Sequence, residues 1–236
     1  MRTYFVEPFR RKDMTRVVAV NGSPKMEKGY TELILRPFIE GMREAGAEID
    51  LFYLKRLEIK PCKGEFHCWN TKPGECMIKD DMQTVIAALK RADILVLATP
   101  VYIPLPGEMQ NFLNRLCPLV DPVLTTRNGR TRARLHPDFN IKKIVLVSSS
   151  GWWEMGNFGT VLRIAKELAE DISVEFAGAL LRPHSSALTK KGPRTDKVLD
   201  SAKKAGLELV ASGRMRRNLL AAVAKPLMSE KAWRKT

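Results

Sequence analysis

The sequence predicts an α/β fold: a doubly wound, five-stranded parallel sheet with helices on both faces and a basic appendage at the C-terminal end. Two observations carry this. Strand-like and helix-like segments alternate five times along the chain, and strands that alternate with helices pair in parallel through crossover connections. The strand-like segments, above all "DILVLATPVY" at 93–102, are continuous apolar runs, the pattern of strands buried on both faces. At 236 residues the chain can bury a sizeable core without metal or disulfide support, and no internal repeat divides it.

The first strand is "RVVAVN" at 16–21, a β-branched run stopped by the breaker Asn-Gly-Ser-Pro. The helix after it turns Leu33, Ile34, Phe38 and Met42 inward, with Gly46 closing it and Pro37 expected to bend it or mark a late start. "EIDLFYL" at 48–54 is the second strand. A cysteine-bearing loop follows, then a helix capped by Asp80 or Asp81 with Met82, Val85, Ile86 and Leu89 on its apolar face. The third strand, "DILVLATPVY", leads through a Pro-rich turn to a helix over about 107–119. Residues 120–141 read as an excursion without strong periodicity. "KKIVLVSSSG" at 142–151 restarts the strand signal, and a helix follows over about 157–170. "SVEFAGALLRP" at 173–183 is the fifth strand, and the helix after it starts near Thr195 or Asp196 and stops at Gly213.

Three divisions are expected: an N-terminal arm over 1–15, the main domain over 16–213 and a basic helical tail over 214–236. Leu219, Leu220, Val223 and Leu227 lie near one stripe of the tail, expected to pack on its own domain; a neighbouring subunit or a membrane surface is the alternative.

The formal charge of +14 is concentrated. Residues 188–236 carry thirteen Lys/Arg against four Asp/Glu, residues 122–143 carry six against one, and the rest of the chain is neutral overall. Such placement raises a nucleic-acid or anionic-surface reading. A solvated surface that attracts phosphorylated ligands is preferred, because no aromatic or Gly-rich RNA motif accompanies the charge. No apolar run approaches the roughly 20 residues of a membrane span, and the N-terminal stretch has no apolar core or cleavage site of a signal peptide. A cytoplasmic protein without a transmembrane segment is expected, and in that reducing compartment the cysteines are not expected to pair.

Ligands of doubly wound sheets bind at the carboxyl ends of the strands. Three strand-end loops qualify. "NGSPKMEKGYT" at 21–31 combines Gly22, Ser23, Lys25, Gly29 and Thr31 ahead of a helix N-terminus, and so offers N–H groups, hydroxyls and a cation to a phosphate, although a plain turn has the same composition. It is neither a Walker loop nor Gly-x-Gly-x-x-Gly. "TPVYIPLPG" at 99–107 sets an aromatic and three prolines at a strand end, a rigid turn able to face a flat ring. "SSSGWWEMGN" at 148–157 exposes two adjacent tryptophans, which a planar ligand or a subunit interface would cover. His67, His136 and His184 are scattered in loops and read as surface residues.

Together these loops resemble the flavodoxin-like NADPH-dependent FMN reductase superfamily, and within it the iron-sulfur flavoprotein branch, over about residues 16–213. "GSPKMEKGYT" is similar to that family's phosphate loop, "TPVY" to its isoalloxazine loop, and the cysteine loop ending in "GECMIKDDM" is typical of the branch. The resemblance implies a flavodoxin-like sheet binding FMN. Ser23, Lys25, Gly29, Tyr30 and Thr31 would hold the phosphate, with Lys25 and Tyr30 standing where the family usually has Arg and Asn. Pro100, Val101, Tyr102 and Ile103 would line the ring, and Ser149, Ser150, Gly151 and Trp152 would meet its other edge. It also implies an NAD(P)H:acceptor oxidoreductase of flavin- or quinone-reductase type, working as a homodimer or homotetramer on a small-molecule electron acceptor, with NAD(P)H as co-substrate and no side chain needed as general acid or base. A non-catalytic flavodoxin-type electron carrier is the first alternative, although such carriers are generally acidic. A nucleic-acid- or membrane-associated protein using the tail is the second. The excursion at 120–141 is expected either to close over the flavin or partner subunit, offering Arg127, Arg130, Arg132 and Arg134 to the dinucleotide, or to be a solvated loop.

The branch holds a [4Fe-4S] cluster with Cys-x2-Cys-x2-Cys and a fourth Cys four to seven residues on. Here Cys62, Cys68 and Cys76 match the first, third and fourth positions, and Glu65 stands at the second. Clusters ordinarily need four thiolates, and a carboxylate is a poor substitute. Cys117 follows Leu113 at helical spacing and reads as a buried helix residue. The expectation is therefore a metal-free loop shaped by Gly64, Phe66, Trp69 and Pro73 near the flavin. Zinc held by three Cys with His67 or Glu65 is the alternative.

Overall fold

Apolar strands leave two faces to cover, and the chain covers both with helices. The structure, a computed structural model, describes residues 14–235. Of the expected N-terminal arm only Met14 and Thr15 fall within the described residues.

In chain order the elements are β1 (Arg16–Asn21), α1 (Tyr30–Glu44), β2 (Glu48–Tyr53), α2 (His67–Asn70), α3 (Met82–Arg91), β3 (Ile94–Pro100), α4 (Gly107–Asn114), β4 (Val120–Arg127), β5 (Arg130–Leu135), β6 (Lys143–Ser149), α5 (Gly159–Asp171), β7 (Glu175–Arg182), α6 (Pro193–Ser212), α7 (Arg217–Ala224) and α8 (Glu230–Trp233). The main sheet has the order β2-β1-β3-β6-β7, every pair parallel. Because successive side chains point to opposite faces, Val18, Val20, Leu95, Leu97, Ile144 and Leu146 meet α3, α4 and α5. Val17, Ala19, Ile94, Val96, Val145 and Val147 meet α1, α6 and α7. The strand order reverses between β1 and β3, which opens the crevice at their carboxyl ends.

Pro37 lies within α1 and does not end it. α1 and α6 cross in backbone contact: a Cβ on Gly41 would collide with the Lys203 carbonyl, and one on Gly206 with the Phe38 carbonyl. The cap of α3 comes from Asp80, whose Oδ1 accepts from Met82 N at 3.1 Å, while Asp81 accepts from Glu58 N.

The excursion at 120–141 is regular. β4 and β5 form an antiparallel hairpin closed by Asn128-Gly129, both at positive φ (50° and 70°). Asn-Gly between two strands is the sequence signal for this two-residue turn, although the polar, arginine-rich flanks conceal the strands.

α7 lies against β7 and α6 with Val223 and Leu219 buried. The Arg182 guanidinium, fully buried at the end of β7, donates to the Val223 and Lys225 carbonyls at 2.8 Å each and so caps α7.

Candidate functional site

The crevice between β1 and β3 is lined by the loops that the sequence singles out. Asn21 ends β1 buried, its side-chain amide donating to Glu32 Oε2 at 3.0 Å and its Oδ1 accepting from Ser23 N at 2.9 Å. Those two bonds turn the chain sharply into the loop. Ser23 is buried, with its Oγ accepting from Lys25 N at 3.3 Å. A Cβ on Gly29 would collide with Ser23 Oγ, so only glycine lets the N-terminus of α1 come this close to the hydroxyl. The 15-residue α1 brings its positive dipole end to the same place. Lys25 and Tyr30 are both exposed, the ammonium 5.9 Å from the ring centroid. The loop thus gathers a buried hydroxyl, a helix N-terminus and a cation, the donor set for a phosphate.

Thr31 sits inside rather than at the surface. Its Oγ1 lies 2.7 Å from Ser149 Oγ, which ties the start of α1 to the end of β6. Ser149 O in turn accepts from Val101 N at 2.7 Å, so the loops after β1, β3 and β6 are joined through Ser149. Ser150 is buried and internally bonded, its N–H donating to Arg182 O and its Oγ accepting from Trp152 N at 3.1 Å. Of the sequence-predicted residues, Ser149 and Ser150 shape the site from beneath, while Tyr102, Ile103, Gly151 and Trp152 form its surface. Ile103 is 88% exposed and Tyr102 and Trp152 about two-thirds, an exposed apolar rim of the kind that marks a ligand or partner surface.

The two tryptophans part company. Trp152 faces outward, whereas Trp153 stacks on His184 at 4.5 Å and meets Trp233 of α8 at 5.9 Å. The C-terminal segment therefore packs against the third loop. His184, read from sequence as a surface residue, is completely buried. Its Nε2 lies 2.6 Å from Arg182 Nη2 and 3.4 Å from Leu227 N, both donors, so Nε2 accepts and the ring is neutral with its proton on Nδ1. Burial and then the adjacent Arg182 charge push its pKa from 6.5 down to about 4.

The hairpin arginines point elsewhere. Arg130 and Arg132 pair with Glu167 and Glu170, Arg132 also with Asp171, and Arg134 with Asp121. Arg127 donates to the Glu170 carbonyl at 2.7 Å, capping the C-terminal end of α5. α5 runs away from the crevice after β6, so its C-terminal end lies at the opposite end of the strands; within one chain these arginines are committed to α5 and Asp121 rather than to the crevice, which favours the solvated-loop alternative.

Cys117 also departs from its expected place. α4 stops at Asn114, and the chain tightens into a 3-10 turn at Cys117–Leu119 with Pro118 in its first turn. That turn carries Cys117 off the helix stripe and into a cavity of about 360 Å³ lined also by Cys62, Gly64, Glu65, Phe66, Cys68 and Cys76. Gly64 and Phe66 thus border the cysteines. Beneath them Arg115, 1% exposed, grips Asp80 with two bonds (2.6 and 3.1 Å) and donates to Lys60 O at 2.7 Å and Cys76 Sγ at 3.4 Å. Burial pushes the Asp80 carboxyl up, but hydrogen bonds from Arg115 and the Lys60 and Met82 amides outweigh it and hold the pKa below the usual carboxylate value.

Comparison with known proteins agrees with this geometry. An iron-sulfur flavoprotein of Archaeoglobus fulgidus is 35% identical over 101 residues, covering 42% of this chain and 48% of the relative. One of Methanocaldococcus jannaschii is 31% identical over 105 residues, covering 44% and 53%. The chain spans about half the length of these relatives. An NAD(P)H:quinone oxidoreductase from Methanothermobacter marburgensis superposes with a TM-score of 0.58 at 17% identity, over 83% of this chain and 97% of the other. An FMN-dependent NADH-azoreductase from Bacillus anthracis, solved with FMN, gives 0.56 at 13% identity over 84% and 98%. At these identities the two structures establish the shared flavodoxin-like fold. The pattern described as NADPH-dependent FMN reductase matches residues 15–165, more than half of the sequence, and the chain belongs to that family.

Proposed function

We propose that this protein is an FMN-dependent oxidoreductase that takes hydride from NAD(P)H and passes the electrons to a small-molecule acceptor. The observation that carries the reading is the cradle at the N-terminus of α1, where Gly29 leaves room only for the buried Ser23 hydroxyl and the loop backbone. The residues fit FMN: Ser23, the N–H groups at the start of α1 and the Lys25 charge suit its phosphate, and the segment Pro100–Val101–Tyr102–Ile103 with Gly151 and Trp152 suits its ring. Thr31 supports the phosphate loop through Ser149. When bound, FMN supplies the hydride-accepting and electron-donating chemistry.

The chain's own residues contribute binding, orientation and shielding. The bond from Val101 N to Ser149 O fixes the turn after β3, so that its backbone is presented without reorganisation. Exposed Tyr102, Ile103 and Trp152 shield one side of the crevice from water, and we assign the remaining cover to the nicotinamide and to a second copy of this chain in a homodimer or homotetramer. Among the described residues no helix is long and apolar enough to cross a membrane.

Two titrations test the reading. FMN and riboflavin are titrated separately by flavin fluorescence, and NAD(P)H oxidation is followed with quinone and azo acceptors. FMN binding well above riboflavin, with turnover, supports the proposal. Equal affinity for the two flavins would remove the phosphate cradle from it, and FMN binding without turnover would leave the electron carrier.

A further inference from the structure

We infer that Trp153 is a positioning residue for the flavin, held in place by His184 and by Trp233 of the C-terminal segment over 226–235. Its contacts fix the loop after β6 that meets the flavin ring, so the segment belongs to the cofactor site. The inference rests on the flavin reading above. His184 and Trp233 both lie beyond residues 15–165, which the family pattern matches.

Two tryptophans stand side by side after β6, and the backbone sends them to different places. Trp152 is 64% exposed on the rim of the crevice, while Trp153 is half-buried behind it. Three backbone bonds tie this loop to the end of β7. Ser150 N donates to Arg182 O at 2.9 Å, Ser185 N to Ser150 O at 2.9 Å and His184 N to Trp152 O at 2.7 Å. The position of Trp152 therefore depends on that of His184. His184 holds a left-handed backbone (φ 37°), which a residue with a side chain keeps only where its surroundings over-determine it.

The C-terminal segment supplies those surroundings. Leu227 N donates to His184 Nε2 at 3.4 Å. Arg182, whose Nη2 lies 2.6 Å from the same ring nitrogen, donates to the Val223 and Lys225 carbonyls just before the segment begins. Beyond Leu227 the chain turns into α8, capped by Ser229, whose Oγ accepts from Ala232 N at 3.2 Å. That turn brings Trp233 to Trp153 with centroids 5.9 Å apart and planes tilted by 40°, while the His184 imidazole stacks on Trp153 at 4.5 Å and 25°. Arg234 also pairs with Glu154, but both side chains are more than half exposed, and such a pair adds little. The ring contacts carry the coupling, because aromatic pairs favour defined orientations and add to what their buried area gives. They orient Trp153, and through the peptide it shares with Trp152 they set one edge of the ring site. None of these bonds involves Ser23 or Gly29, so the device acts on the ring and leaves the phosphate cradle alone.

FMN and riboflavin are titrated by flavin fluorescence into the full chain and its variants, beside a thermal melt. Trp233→Ala is expected to weaken both flavins by the same factor, about 2- to 10-fold, the range of one aromatic pair. Trp233→Phe should recover most of that loss. Trp153→Ala should lose at least as much, and adding Trp233→Ala to it should cost little more, because Trp233 acts through Trp153. If Trp153→Ala does not fold, the Trp233 variants carry the test. A lowered Tm with unchanged affinity for both flavins in Trp233→Ala would mark the segment as structural only and overturn the inference. A loss confined to FMN, or a full additional loss in the double variant, overturns it as well. Failure of the flavin reading gives a different result: the unmodified chain then binds neither flavin, and this inference falls with it.

Discussion

Thr31 Oγ1 and Ser149 Oγ lie 2.7 Å apart, joining the first turn of α1 to the end of β6 across 118 residues of sequence. Both residues are almost completely buried, so neither hydroxyl can exchange its partner for water. Thr31→Val keeps the shape and removes the bond, leaving Ser149 unpaired at a cost of about 1–3 kcal/mol. Urea denaturation should show that loss, and Thr31→Ser should restore most of it. Because Ser149 O also holds Val101 N, FMN affinity should fall along with stability.

Ser23 and Gly29 should act differently. Ser23→Ala is expected to weaken FMN by about 1.5–3 kcal/mol, or roughly 10- to 150-fold, because the lost hydrogen bond goes to a charged group. Gly29→Ala should do at least as much by displacing the Ser23 hydroxyl. Riboflavin affinity should be unchanged in both, since it has no phosphate. A parallel loss for both flavins, measured by fluorescence titration, would move the cradle's role from phosphate to ring.

Neutralising Arg130 and Arg132 should leave the KM for NADPH unchanged, because both are committed to Glu167 and Glu170 at the end of the strands away from the crevice. The expected effect is on stability alone, about 0.2–1 kcal/mol for the exposed Arg130 pair and more for Arg132, whose largely buried guanidinium meets Glu167, Glu170 and Asp171. Steady-state kinetics beside a thermal melt separates the two outcomes.

These arginines show where the sequence was legible and where it was not. The order of strands and helices followed from apolar periodicity, because burial on both faces of a parallel sheet leaves continuous runs such as "DILVLATPVY". The three strand-end loops followed from composition at those boundaries. Side-chain commitments did not follow. The pairing of Arg130 with Glu167, the burial of His184 behind the C-terminal segment and the arrival of Cys117 at the cysteine loop all depend on contacts distant in sequence. Asn128-Gly129 was a readable hairpin signal, while the end of α4 at Asn114, three residues before Cys117, was hidden in a pattern that continued apolar.

Gly206 should not tolerate even alanine. Its missing Cβ is what lets the Phe38 carbonyl of α1 approach α6. Gly206→Ala forces the helices apart and should cost about 3 kcal/mol or more, a fall in Tm of about 6–12 °C. Calorimetry checks this, and FMN affinity of the folded fraction should be nearly normal.

The buried His184 gives stability a defined pH dependence. Its folded pKa, about 4, lies below its ordinary 6.5, so between these values the unfolded chain binds a proton that the folded chain refuses. Stability should therefore be full above about pH 6.5 and fall with acid, by at most about 1.4 kcal/mol per pH unit, toward pH 4. Asp80, held below its ordinary pKa, is lost only below about pH 4 and does not contribute in this window. His184→Gln, which keeps an acceptor for Arg182 but does not titrate, should flatten the slope between about pH 5 and pH 7.5 in urea midpoints.

The central claim is that these loops hold a flavin which NAD(P)H reduces. Anaerobic mixing of the FMN-loaded protein with NADPH or NADH, followed by the visible absorbance of the flavin, tests it most directly. Rapid bleaching with near-stoichiometric nicotinamide, reversed by a quinone, is the result expected. Loaded protein whose flavin absorbance is unmoved by either nicotinamide would contradict it.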